Sequence, residues 1–242
     1  MKDTPYRLIG TPRLGGILVV SDHASNRLPD DIDLGIDPVL LDQHIAVDLG
    51  VGAIAGLMAQ RPGIAAFLGN VSRLVCDFSR EEHAPGVVPI VSDGHAIPGN
   101  NLSHEEHERR LDRFFRPYHA ALSALLDEVP PALILSLHSF TPQLASKPEE
   151  KRPWHVGVLY NSDDRAARLA IAMMEAEGLT VGDQEPYSGV LLNATMNRHA
   201  EPERRPYLGV EIRQDQICEE RGQGEWAERL ANICNKVALK LM

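Results

Sequence analysis

Apolar and polar positions fall into alternating blocks along this chain. The run GGILVVS at 15–21 ends at the polar segment 22–30, and reads as a buried strand delivering a loop. Asp37 followed by Pro38 is a helix start, because the carboxylate caps free amides and proline needs no donor at the first position. That helix is expected to run to about residue 60, burying Leu41, Ile45 and Leu49 on one face. Residues 64–68 read as a strand and lead into an unusually charged loop.

Ser103 and Glu106 have capping-box spacing, and Leu111, Phe115, Tyr118, Leu122, Leu125 and Val129 continue with helical period. Pro117 interrupts that period, which predicts a kink or two helices in succession. Residues 132–137 fit a central strand ending at His138. Residues 156–160 fit another strand, and 163–177 a helix stopped by Gly178. Residues 185–206 read as a long loop that covers a site. Strand character returns at 207–212, and a last helix carries Trp226, Leu230, Ile233, Val237 and Leu241 on one stripe. Strands alternating with helices imply an α/β fold, with a mainly parallel sheet covered on both faces.

Composition narrows the class. A chain of 242 residues with 43% apolar content can bury one sizeable core, so a single domain over 1–242 is expected. Its 34 acidic against 24 basic residues give a formal charge of -10, which gives no reason to expect nucleic acid as a partner. The opening MKDTPYRLIG lacks the apolar segment of a signal peptide. No window approaches the roughly 20 apolar residues of a membrane span, so the expectation is a cytoplasmic protein without a membrane partner. Cys76, Cys218 and Cys234 are odd in number and form no CxxC pair, and they read as buried free thiols.

Polar groups recur where strands end: His23 and Asn26, then His138 and Ser139, then Glu211 and Arg213. In an open α/β sheet such ends gather along one edge, so residues distant in sequence meet there. Imidazoles with a carboxylate or amide oxygen can hold zinc and leave a position for water. From spacing alone His23 is either a metal ligand or a capping or core histidine, and the same choice holds for His138. His44 and Asp48, one turn apart on the expected helix, are either an ordinary surface pair or a support that fixes a histidine tautomer, with Asp42 nearby on another face. Arg73, Asp77 and Arg80 form either a charged surface loop or a carboxylate clamp in which Asp77 steadies one guanidinium; Arg213 adds a third anion contact. Ser139 in LHSF lacks the GxSxG elbow of a serine hydrolase, and SDHASN replaces the GxGxxG of a dinucleotide site.

Seven stretches occur in a recognisable order: SDHASNRLP at 21–29, DQHIAVDLG at 42–50, SRLVCDFSR at 72–80, RPYHAAL at 116–122, LILSLHSF at 133–140, EPYSG at 185–189 and GVEIRQD at 209–215. Together they resemble the N-formylglutamate amidohydrolase family across nearly the full chain, in the branch written DHASN rather than PHSG. The resemblance extends to zinc exopeptidases and aspartoacylase-like enzymes. It implies a three-layer α/β/α fold with a mainly parallel or mixed sheet, and one zinc per chain held by two histidines and an acidic residue. His23 matches the first ligand and His138 the later one. Asn26 stands where the acidic ligand is expected, and Glu211 matches the catalytic glutamate. Asp42, His44, Asp48 and Asp77 are then supporting groups, and Arg73, Arg80 and Arg213 substrate contacts. The implied reaction is hydrolysis of a small-molecule N-acyl amino acid, with N-formyl-L-glutamate the first candidate. Two other readings stay open: an amidohydrolase or peptidase for another N-acylated carboxylate, and a non-catalytic metal- or ligand-binding relative.

Overall fold

The computed structural model describes residues 4–242, so the first three residues of the opening segment lie outside the described part. Seven strands form one mixed sheet. They are β1 (Tyr6–Ile9), β2 (Ile17–Ser21), β3 (Ile64–Gly69), β6 (Leu133–Phe140), β7 (Val156–Leu159), β8 (Val181–Asp183) and β9 (Tyr207–Arg213), in the order β1-β3-β2-β6-β9-β7-β8. The central strands β3, β2, β6 and β9 run parallel, whereas β1 pairs antiparallel with β3, and β7 antiparallel with β9. A short hairpin of β4 (Val91–Ser92) and β5 (His95–Ala96) stands apart.

Strand alternation sends successive side chains to opposite faces and so builds two cores. Val19, Leu135, Leu137 and Val210 pack on one face beneath α1 (Val51–Met58), α4 (Arg165–Ala176) and α6 (Glu220–Leu241). Leu18, Val20, Phe67 and Ile134 pack on the other face against Phe114, Tyr118 and Leu122, the last two from α3 (Arg116–Glu128). The result is the expected three-layer α/β/α arrangement. The stripe Trp226, Leu230, Ile233 and Val237 lies buried along α6, as its period requires.

Four local expectations are corrected. The helix expected over 37–60 is instead a 3₁₀ turn, Pro38–Asp42, followed by turns and then α1. Two features break it: the Asp48 amide donates to the His23 carbonyl at 3.0 Å, and Gly50 adopts a left-handed φ of 82°. His44 and Asp48 are therefore not helical neighbours. Strand β6 runs on to Phe140, which places His138 inside it. The segment 185–206 contains the short helix α5 (Ala194–His199). Cys76 and Cys234 are buried as expected, but Cys218 is exposed.

The capping box at Ser103 forms and starts α2 (His104–Arg110). One π-helical turn, Leu111–Phe115, joins α2 to α3 just before Pro117, which has no N–H to donate. No helix among the described residues is long and apolar enough to cross a membrane.

Candidate metal centre

The parallel strands β2, β6 and β9 deliver their carboxyl ends to one place. Their order changes direction about β2 and β6, the position where open α/β sheets leave a crevice. His23 follows β2 by two residues. His138 and Glu211 are direct register partners across β6 and β9, so both project from the same face. The 43–50 turns then bring in Asp48, and the charged loop after β3 brings in Arg73, Asp77 and Arg80.

His23, Asp48 and His138 converge so that one donor atom from each lies within 4.8 Å of the others, and all three residues are buried. Asp48 Oδ2 lies 3.3 Å from His23 Nδ1 and 2.9 Å from His138 Nδ1. The opposite ring nitrogens face other carboxylates: His23 Nε2 is 2.7 Å from Asp77 Oδ1, and His138 Nε2 is 3.5 Å from Asp22 Oδ2. A carboxylate can only accept, so with both Nε2–H groups donating outward two Nδ1 lone pairs and an anionic oxygen face one point. That arrangement needs positive charge at its centre. Two imidazoles and a carboxylate are a donor set that fits zinc and leaves a further coordination position open.

The charge states express the same demand. Burial alone lowers the pKa of His138, but the Asp22 and Asp48 carboxylates outweigh it and hold it well above the ordinary value. For His23, burial and Arg73 pull down while Asp77 and Asp48 prevail upward. Burial pushes Asp48 up, yet His23, His138 and Arg73 together hold it far below the usual carboxylate range. Glu211 behaves oppositely: burial raises it to about 7 against the opposing charge of His138. A carboxyl poised near neutrality beside a metal-ligand set is suited to accepting and returning a proton.

Arg73 bridges Asp48 Oδ1 at 3.2 Å and Asp77 Oδ2 at 3.0 Å, so it braces two carboxylates. Arg80 reaches Asp77 only at 3.6 Å, and its side chain is 37% exposed. Both arginines line a small, partly open cavity of about 80 Å³ with the triad, Glu211, Ser79, Ser139, Tyr187 and Leu192. Ser139 donates its hydroxyl to the Leu49 carbonyl at 3.1 Å, with no histidine partner among the described residues.

The remaining expected groups lie elsewhere. Asn26 is exposed and donates to Asp42 Oδ1 at 2.8 Å, on the wall of a separate depression that also borders Asp48. It does not line the cavity that holds the triad. His44 bonds Asp93 at 3.0 Å, away from the cavity. Arg213 shares the strand face of Glu211, but its guanidinium goes to Asp215 and to the carbonyls of Arg152 and Pro153. Sequence reading missed Asp22, Tyr187 and the placement of Asp48 among the converging donors. Asp22 carried a signal, since it directly precedes His23 at the end of β2; it also accepts from Tyr118 at 2.6 Å and Thr195 at 2.9 Å.

The architecture recurs in known proteins. A gene product of Agrobacterium tumefaciens is similar over 99% of this chain and 96% of its own, with 29% identity and a TM-score of 0.90. The N-formylglutamate amidohydrolase of Ralstonia eutropha is similar in fold over 98% of each chain, at 18% identity and a TM-score of 0.73. A bacteriophage poly-gamma-glutamate hydrolase shares the fold more distantly, at 9% identity and a TM-score of 0.50 over 98% of this chain and 89% of its own. No curated protein sequence matches the chain. The model of the N-formylglutamate amidohydrolase family matches residues 15–218, a span that contains every residue of the converging cluster. The chain belongs to the N-formylglutamate amidohydrolase family.

Proposed function

We propose that this protein is a zinc-dependent amidohydrolase that cleaves an N-acyl amino acid bearing a carboxylate, with N-formyl-L-glutamate as the first substrate to test. The observation that carries the reading is the convergence of His23, Asp48 and His138 with Glu211 in register beside His138. His23, Asp48 and His138 would hold the ion, with Asp77 and Asp22 fixing the two imidazoles. A zinc ion bound there supplies Lewis acidity, which makes water a better acid and polarises the acyl oxygen.

Glu211 accepts a proton from the attacking water and returns it to the amide nitrogen as the C–N bond breaks. Water is thereby divided between the products, a carboxylic acid and a free amine; for the formyl substrate these are formate and glutamate. Arg80 receives the substrate carboxylate in this reading, which its weak pairing and partial exposure support. Arg73 keeps Asp48 and Asp77 ionised and in position. In Asn26 the family pattern suggested a ligand, and Asp48 takes that role in this reading.

Turnover of N-formylglutamate, its neutral amide analogue and N-acetylglutamate, each with and without a chelator, tests the proposal. Chelator-sensitive hydrolysis that favours the charged formyl compound is expected. Equal kcat/KM for the charged and neutral formyl compounds contradicts carboxylate recognition, and a preference for acetyl reassigns the acyl group.

A further inference from the structure

Tyr187 reaches the cavity from a loop that is tightly fixed. Gln184 donates through Nε2 to the Tyr160 carbonyl at 2.7 Å, and its Oε1 accepts from the amides of Tyr160 and Gly189 at 3.3 and 2.8 Å. The Glu185 carbonyl lies so close to two strands that a Cβ on Gly157 or Gly182 would meet it at 2.2 or 2.5 Å. Glycine at both positions lets the loop seat directly on β7 and β8. The side chain it presents is therefore held in place before substrate arrives.

Behind Tyr187 stands a buried cation. The Arg152 side chain is only 2% exposed; it donates to Glu150 Oε1 at 3.0 and 2.8 Å, to the Thr141 carbonyl at 3.4 Å, and to the Tyr187 phenol oxygen at 3.0 Å. Because the phenol oxygen already accepts from Arg152, its own hydrogen is left to donate. No acceptor for it exists among the described residues, and Tyr187 borders the same cavity as Glu211 and the metal-ligand triad. A donor hydrogen-bonded to a cation is polarised into a stronger donor. Burial, and next the charge of Glu211, hold the phenol above its ordinary pKa, so it keeps its proton.

We propose that Tyr187, backed by Arg152, donates a hydrogen bond to the acyl oxygen as that oxygen gains negative charge during attack. The assignment rests on the amidohydrolase reading above. No proton changes owner in this step: the phenol donates, and Arg152 orients and polarises it. Tyr187 is then a catalytic residue and Arg152 a positioning residue that acts through it.

The test uses full-length protein loaded with one equivalent of zinc. Tyr187→Phe is expected to lower kcat by about 10²–10³-fold, with KM, metal content and Tm close to those of the parent. Its affinity for N-phosphonoglutamate, whose tetrahedral anionic phosphorus mimics the attacked carbonyl, should fall, while affinity for glutamate stays unchanged. Arg152→Lys should lower kcat less, and should add nothing in the Tyr187→Phe background.

An unchanged kcat overturns the proposal. A rise in KM alone also overturns it, because Tyr187 would then serve ground-state binding of the carboxylate. A kcat loss accompanied by loss of metal or of thermal stability overturns it too, as does additivity between the two substitutions. Parent protein inactive on every N-acyl amino acid contradicts the amidohydrolase reading itself. Active parent with an unaffected Tyr187→Phe variant removes only the role of Tyr187.

Discussion

Asp77 Oδ1 lies 2.7 Å from Nε2 of His23, which turns the other ring nitrogen, Nδ1, toward Asp48. The same relation recurs across the site, where Asp22 faces His138 Nε2 and leaves His138 Nδ1 toward Asp48. Two histidines, one just past β2 and one within β6, are thus oriented by two outer carboxylates, and both present the same atom type to one centre. Asp22 is itself held by Tyr118 and Thr195, so the α3 layer contributes to the aim of an imidazole on β6.

If these outer carboxylates set the ligand orientation, Asp77→Asn and Asp22→Asn should each weaken zinc binding by about 10–100-fold while leaving the fold intact. Competition against a chromophoric chelator measures this directly. Affinity equal to that of the parent in both variants would show that the rings are aimed by packing alone.

Glu211→Gln keeps the size of the side chain but removes its capacity to accept a proton. The expected outcome is a fall in kcat of about 10²–10⁴-fold with zinc content retained. A near-normal kcat on a verified substrate would place the base elsewhere.

Arg73 and Arg80 should separate experimentally, because one is bound to carboxylates on both sides and the other is partly free. Arg80→Gln is expected to raise KM about 10-fold, equivalent to about 1.4 kcal/mol, with zinc affinity unchanged. Arg73→Gln is expected to reduce zinc affinity, since Asp48 and Asp77 lose the charge between them. Equal KM effects with full zinc retention in both variants would restore the two-arginine clamp.

Acid should destabilise the fold through a second histidine pair, outside the triad. His119 Nδ1 and His199 Nε2 lie 2.9 Å apart, and burial, reinforced by Arg198, lowers their pKa values to about 3 and about 4. The folded chain keeps them neutral while an unfolded chain takes up protons below about pH 6.5, so the unfolded state binds more protons. Their contribution is fully present above about pH 6.5 and is lost as the pH falls toward about 4 for His199 and about 3 for His119, at up to about 1.4 kcal/mol per pH unit for each group. Urea unfolding should show a shallower pH slope over this window for His199→Asn than for the parent. Identical slopes would mean that the pair titrates in the folded state.

Strands β2, β3, β6, β7 and β9 were legible because short apolar runs such as LVV in β2 and LIL in β6 alternate between two buried faces, whereas the edge strands β1 and β8 were missed because they are short and only partly buried. His23, His138 and Glu211 were legible for the same reason, as polar groups at or near the ends of such runs. Asp48 was assigned a supporting role because Asp37–Pro38 and the apolar spacing suggested a continuous helix. Tertiary bonds from Asp48 to His23, His138 and Arg73 override that spacing, and the chain turns sharply at Gly50. Arg213 followed the two-residue period correctly to its strand face, but period says nothing about where a long side chain ends. Tyr187 was visible only as part of EPYSG, since neither its buried partner Arg152 nor the loop's seat against Gly157 and Gly182 is local in sequence.

Metal content of Asp48→Ala and Asn26→Ala, purified alongside the parent without added metal, decides whether Asp48 completes the metal-ligand set. Asp48 lies among the converging donors, whereas Asn26 is exposed and bonded to Asp42. About one zinc per chain is expected in the parent and in Asn26→Ala, and loss of tightly bound zinc in Asp48→Ala. Full occupancy in Asp48→Ala, or loss confined to Asn26→Ala, would contradict that ligand set.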